Sequence, residues 1–220
     1  MYKFFCDKLE NNCFILDDET TKHLKVIRIK HEPFMINYNK EFYQCKLVDF
    51  NRAEIISKLN INNELDFEVV VAIPLIKQAN FEIAIQKAVE LGATKIIPYI
   101  SSYCDKSNFN IINNRPRLLK IIKQAAQQSF RNIIPPLLDL VNYDKIIGYE
   151  IDLKLLAYEN EKNSFIKKEN KNTLVIVGPE GGFSTDEIKK AIQSNVKIVT
   201  LTKTILRAET ALIYMLSKIV

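Results

Sequence analysis

From residue 67 onward, short apolar runs alternate with segments of helical period, and that alternation implies a largely parallel sheet with helices as its crossovers. The spacing predicts strands over 68–76, 95–100, 153–158, 173–177 and 197–201, and helices over 80–91, 117–129, 185–193 and 211–219. Phe81, Ile85, Ala88 and Val89 fall on the inward face of the first of these helices; Leu212, Met215, Leu216 and Ile219 share one face of the last. Gly92 reads as a helix-ending glycine, because glycine enters the left-handed region at little cost. On sheets of this kind, ligands sit beyond the carboxyl ends of the strands.

The first 66 residues have a different grain. Brief β-type segments over 2–5, 13–15, 34–38, 41–48 and 53–59 are separated by Asn, Asp, Lys or Pro, and Asn39-Lys40 reads as a tight hairpin turn. Residues 18–28 are helix-like, with Leu24 and Ile27 at helical spacing. A small β-barrel or sandwich with one helix fits this stretch. The polar run Asn62-Asn63-Glu64 reads as a link, which gives two domains, 1–66 and 67–220.

Several classes of function are set aside at this point. No apolar run approaches the roughly 20 residues of a membrane span. The segment from Met1 to Asp7 lacks the features of a secretory leader, so a cytoplasmic protein is expected. Cys6, Cys13, Cys45 and Cys104 are irregularly spaced, and His23 and His31 are the only histidines; no metal site is expected, and the thiols read as free. The net charge of +5 is unevenly spread: residues 1–66 are near neutral, whereas Lys106, Arg115, Arg117, Lys120, Lys123 and Arg131 lie in a run to Leu138 without a single acid. Such a run attracts a polyphosphate backbone or forms a solvated basic face, and charge alone does not decide between them.

Two segments carry chemistry. In the first, a strand from Thr173 leads into Gly178-Pro179-Glu180-Gly181-Gly182, after which Ser184 and Glu187 form a capping box that opens a helix. The chain has five glycines, and three of them fall here. The spacing matches neither the dinucleotide nor the nucleoside-triphosphate loop, so it reads as a loop whose bare backbone approaches some other ligand, or as a tight turn. The second segment, Leu201 to Ala211, puts Arg207, Glu209 and Thr210 at a strand-to-helix junction. There they face a ligand, or form an Arg–Glu pair that caps the helix.

Together these segments resemble the RsmE family of SPOUT methyltransferases, in which a GPEGG loop and an LGxRxLRxETA segment adjoin each other. His23 to Lys30 is similar to the family's HxxxVLRLK segment, and Ile85 to Gly92 followed by Pro98 to its QKxxELG…P segment. Gln128 to Arg131 followed by Ile134-Pro135 is similar to its QSGR…IP segment. The resemblance implies a PUA-like β-barrel ahead of a SPOUT-type α/β domain with a trefoil-knotted parallel sheet, its last helix threaded through a loop. It implies a homodimer that methylates N3 of a uridine in small-subunit ribosomal RNA, alone or within the small ribosomal subunit.

The same resemblance implies that S-adenosylmethionine is held by Gly178, Pro179, Glu180, Gly181, Gly182, Leu201, Thr202, Ile205, Leu206 and Thr210. The proton on uridine N3 must leave, so a carboxylate to accept it and a cation to stabilise the developing anion are expected. Glu209 and Arg207 are the candidates, with Arg131 a second cation. Arg28, Lys30, Lys87, Arg115, Arg117, Lys123, Gln128 and Arg131 are the candidate RNA contacts, although Lys87 with Glu90 also reads as an intrahelical ion pair. Thr202 and Thr204 stand where the family has Gly and Arg, Tyr103 where Arg is frequent, and Phe130 at the Gly of QSGR. Those departures keep two other readings open: methylation at another RNA position, such as a ribose 2′-hydroxyl, and a non-catalytic RNA-binding scaffold.

Overall fold

A computed structural model describes residues 2–30 and 32–220, so the readings that involve Met1 and His31 fall outside the described residues. The chain forms two compact units, Met1–Glu64 with Gln127–Ile133, and Leu65–Ala126 with Ile134–Val220.

The first unit contains β1 (Lys3–Phe5), β2 (Leu9–Glu10), β3 (Cys13–Ile15), α1 (Asp18–Val26), β4 (Phe34–Tyr38), β5 (Glu41–Asp49) and β6 (Arg52–Leu59). Its strands form one mixed sheet in the order β1-β4-β5-β6-β3-β2, with β1 parallel to β4 and the other pairs antiparallel. Asn39 and Lys40 close the β4–β5 hairpin with φ of 50° and 69°, which suits the twist of a two-residue turn. Phe4, Phe14, Leu24, Phe34 and Ile36 fill the interior. Asp17 caps α1 by accepting from the Thr20 N–H at 2.7 Å. Arg28, at φ 60°, ends the helix: the N–H of Ile29 reaches back to Leu24 O at 3.1 Å and that of Arg28 to Lys25 O, a Schellman closure.

Residues 127–133 are stitched into this unit by polar groups. The buried Asn132 amide donates to the carbonyl oxygens of Lys40 and Ile61, at 2.8 Å each, and its Oδ1 accepts from the Asn63 N–H at 2.9 Å. The Glu64 carboxylate accepts from Arg131 Nε at 3.0 Å and from the Asn132 N–H at 2.6 Å. Phe130 adopts φ 61°, an uncommon conformation for a bulky side chain. Its ring lies 4.6 Å from that of Phe42, with the Lys3 ammonium 4.4 Å above it. That packing explains how an aromatic residue occupies a place where the resembled family has glycine.

The second unit contains β7 (Val69–Pro74), α2 (Gln78–Glu90), β8 (Lys95–Ile100), a 3-10 helix (Lys106–Asn114), α3 (Arg115–Gln128, whose last two residues belong to the first unit), β9 (Val141–Asn142), α4 (Tyr143–Ile147), β10 (Leu153–Ala157), β11 (Thr173–Ile176), α5 (Thr185–Gln193), β12 (Lys197–Val199) and α6 (Ala208–Ile219). Its sheet is wholly parallel, in the order β12-β10-β11-β7-β8-β9. β7 is buried along its whole length, as a strand covered on both faces must be. α6 packs on α2 and against β11 rather than beside β12, the strand it follows. This is the expected SPOUT-type α/β sheet, following a PUA-like β unit in the sequence.

α2 closes on Gly92 at φ 91°, where an added Cβ would sit 2.9 Å from Leu65 Cδ1. Gly92→Ala is therefore expected to cost about 1–2 kcal/mol in urea unfolding, from backbone strain before any packing loss; an unchanged midpoint would refute this account. The short β2, β9 and α4 and the 3-10 helix were not foreseen, because elements of two to five residues carry no period and the acid-free basic run conceals a polar 3-10 turn.

Candidate active site

β12, β10 and β11 are adjacent and parallel, so their carboxyl ends open to the same side of the sheet. Two adjoining cavities lie there. The larger, about 340 Å³, is lined by Gly178, Pro179, Glu180, Gly181 and Gly182 after β11, by Ile205, Leu206, Arg207 and Ala208, and by Glu159 and Ala211. The smaller, about 100 Å³, is lined by Ala157, Tyr158 and Glu159 after β10, by the run from Thr200 to Leu206 after β12, and by Ala211. The two chemistry-bearing segments of the sequence thus form one cleft.

Four side chains lie against the glycine loop. Tyr99, fully buried, donates its hydroxyl to Val177 O at 2.6 Å; burial drives its phenol well above the ordinary range, so it stays a donor. Phe183 is buried under Gly178, where an added Cβ would lie 2.9 Å from the ring. At Gly181 an added Cβ would lie 2.8 Å from Tyr103 Cβ. Gly182 has φ 71°, and an added Cβ would lie 3.1 Å from Glu159 Oε1. Left-handed backbone at Gly182 and close packing of Gly178 and Gly181 against the protein's own side chains bear out the tight turn read in the sequence, and the same loop lines the larger cavity.

Glu187 ties this loop to the one after β8. Its buried carboxylate accepts from the Ser184 N–H (2.9 Å) and hydroxyl (3.0 Å), which completes the expected capping box, and also from the Ser102 N–H at 2.8 Å. The Glu180 carboxylate, in turn, accepts from the Lys77 N–H at 3.2 Å.

Across the cleft, Arg207 is the amino-terminal cap residue of α6, without a side-chain capping bond. Neither its guanidinium nor the Glu209 carboxylate has a hydrogen-bond or ion-pair partner among the described residues, so the helix-capping Arg–Glu pair does not form. Arg207 is exposed at the rim of the larger cavity; Glu209 is half-buried on the first turn of α6, and neither Glu209 nor Thr210 lines the cavities. Thr202 donates its hydroxyl to Thr204 O at 2.6 Å, so the two threonines brace their own turn.

The other cations are placed differently. Arg131 is 3% exposed and its guanidinium is committed to Glu64, which makes it a structural cation of the first unit and unavailable as a second anion stabiliser in this arrangement. Arg28 and Lys30 are exposed on the first unit, as is Gln128, whose carbonyl accepts from Lys3 Nζ at 3.3 Å. Lys87 donates to both oxygens of Glu90 at 2.9 Å, the intrahelical pair. Arg117 grips Glu82 with Nε at 2.6 Å, and Arg115 reaches Leu138 O at 3.4 Å and the Leu137 carbonyl. Lys123 is half-buried on α3 and is also engaged.

Sequence reading missed Glu159, which borders both cavities, together with Ala157 and Tyr158. The rule that points beyond parallel strand ends would have found them, since the strand there was recognised. No metal-binding cluster occurs among the described residues. The four cysteines are free, and burial pushes the Cys45 thiol up to about 12, so it remains an unreactive thiol. No helix among the described residues is long and apolar enough to cross a membrane.

Residues 63–220 match the model of the RNA methyltransferase domain family. Ribosomal RNA small subunit methyltransferase E of Mesomycoplasma hyopneumoniae is 41% identical, over 99% of this chain and 98% of that protein. Among solved structures, ribosomal RNA small subunit methyltransferase E of Neisseria gonorrhoeae bound to S-adenosyl methionine superposes with a TM-score of 0.88, at 27% identity, covering 99% of this chain and 95% of that one. A methyltransferase of Legionella pneumophila in complex with the same cofactor gives a TM-score of 0.85 at 26% identity, covering 98% and 95%.

Proposed function

This chain belongs to the RNA methyltransferase family, within its small subunit methyltransferase E (RsmE) branch, and from that premise we propose that it methylates N3 of a uridine in small-subunit ribosomal RNA with S-adenosylmethionine as donor. The observation that carries the reading is the single cleft formed by the glycine loop and the Leu201–Ala211 segment, with an arginine at its rim that has no partner among the described residues.

The cleft fits the cofactor. Its two compartments, of about 340 and 100 Å³, suit an elongated ligand that joins a base to an amino acid. One wall is the bare backbone of residues 178–182, held rigidly by Tyr99, Phe183 and Glu187, so its N–H and C=O groups are positioned before anything binds. S-adenosylmethionine supplies an electrophilic methyl group on a sulfonium, which needs no nucleophile from the protein.

What remains for the protein is to orient the base, exclude water and handle one proton. Arg207, exposed at the rim and without a partner among the described residues, is the group we assign to stabilise the charge that develops as the uracil loses its N3 proton. Glu209, half-buried two residues on and outside the cavity lining, is the group we assign to receive that proton through a water. The exposed Arg28 and Lys30 of the first unit support a phosphate-gripping role for it. A homodimer and a cytoplasmic setting complete the proposal, as the family resemblance implies.

The test is methylation of small-subunit RNA followed by nucleoside analysis. Arg207→Ala is expected to lower kcat by about 10²–10³ with cofactor affinity changed little, the usual effect of removing one stabilising donor. Full turnover in that variant would remove Arg207 from the chemistry, and methyl groups recovered on ribose would change the target.

A further inference from the structure

The two compartments share four lining residues: Glu159, Ile205, Leu206 and Ala211. Three of these are apolar, so Glu159 is the only polar side chain that both compartments contact. Its carboxylate is exposed and has no hydrogen-bond or ion-pair partner among the described residues, although it hangs directly over the glycine loop. Gly182 makes room for it: any side chain there would crowd Glu159 Oε1. A carboxylate kept free at the junction of two cavities calls for a ligand group that donates hydrogen bonds.

We propose that Glu159 recognises the ribose of the cofactor, its two carboxylate oxygens accepting from the vicinal 2′- and 3′-hydroxyls. The inference rests on the S-adenosylmethionine reading above. The ligand is a chain of three parts, with base and amino acid at the ends and sugar between. The smaller compartment, walled by the backbone of residues 200–206 and by apolar Leu201, Ile205 and Leu206, suits a flat base. The larger one, running along the glycine loop, suits the amino-acid arm. The middle of the ligand then lies at the shared wall, and the sugar is the part that carries paired hydroxyl donors. An ionised acceptor toward a hydroxyl is stronger than a neutral one, and two oxygens match a vicinal diol in the way a single acidic residue reads ribose at other nucleotide sites.

The test is a binding cycle run on protein and ligand together, with calorimetric affinities rather than turnover as the readout. S-adenosylhomocysteine, its 2′-deoxy and 3′-deoxy analogues, and S-adenosylmethionine are titrated into the wild-type protein and into Glu159→Gln. Because Glu159 is exposed and the substitution keeps its shape, the variant should melt as the wild type does. The expected result is a loss of about 10-fold or more for S-adenosylhomocysteine and S-adenosylmethionine alike in the variant. The deoxy analogues should bind the wild type more weakly by a similar factor, with little further loss in the variant. The ligand half of the cycle needs no variant, and deoxy analogues that bind the wild-type protein undiminished overturn the assignment. So does an unaltered affinity in Glu159→Gln, or an equal loss for deoxy and intact sugars. A loss confined to S-adenosylmethionine would move the carboxylate to the sulfonium and likewise overturn it. Wild-type protein that binds none of these ligands would instead defeat the cofactor reading itself, and this inference with it.

Discussion

Arg131→Ala is expected to lower the unfolding free energy by about 3–5 kcal/mol, the cost of removing one partner from a buried ion pair. The side chains of Arg131 and Glu64 are 4% and 16% exposed, so neither charge is rehydrated easily once its partner is gone. Against a total stability of about 5–15 kcal/mol for an ordinary domain, that loss is large. Urea unfolding followed by fluorescence or circular dichroism would report it. Glu64→Gln should cost less, because its side-chain carbonyl can still accept from the Asn132 N–H, 2.6 Å from Glu64 Oε1. If Arg131→Ala unfolded at the wild-type midpoint while RNA affinity fell, the arginine would be a nucleic-acid contact after all.

The second large effect is expected at Gly181→Val, which should weaken S-adenosylmethionine binding by about 10- to 100-fold, the penalty of overpacking a site that cannot yield. The clash is with Tyr103: an added Cβ would lie 2.8 Å from Tyr103 Cβ and 3.4 Å from its carbonyl oxygen, and the Ser102 N–H beside it is fastened to Glu187. Relief therefore requires the glycine loop to move. Isothermal titration of the single variant and of the pair Gly181→Val with Tyr103→Gly distinguishes this from simple filling of the cavity. Removing the Tyr103 Cβ should restore part of the affinity; a double variant as weak as the single one would show that the valine blocks the ligand directly.

The sequence made different parts of the molecule legible to different degrees. The parallel half was readable because β7, β8, β10, β11 and β12 are apolar runs framed by helical periods. The hairpin at Asn39-Lys40 and the capping box of Ser184 and Glu187 were readable because each depends on a few adjacent residues. The cleft was found through its glycine loop and its Arg207 segment, and the tight turn was among the readings of that loop, but the packing of Tyr103 and Phe183 against its glycines was not, since those side chains lie there only after folding. Glu159 was passed over because a glutamate in a charged loop looks like any solvated acid. Glu64 and Asn63 looked like a polar link for the same reason, although they hold Arg131 and Asn132 across more than sixty residues of chain. A polar side chain fixed by a distant partner leaves no periodic trace.

That discontinuity bears on how the protein is made. The β-rich unit lacks its final segment, residues 127–133, until residues 65–126 have been synthesised. At about 5–20 residues per second the interval is roughly 3–12 s. During it the Lys40 and Ile61 carbonyls that Asn132 will cover, and the Glu64 carboxylate that Arg131 will neutralise, have only water as a partner. The nascent amino-terminal unit must wait for a clasp that has not yet left the ribosome.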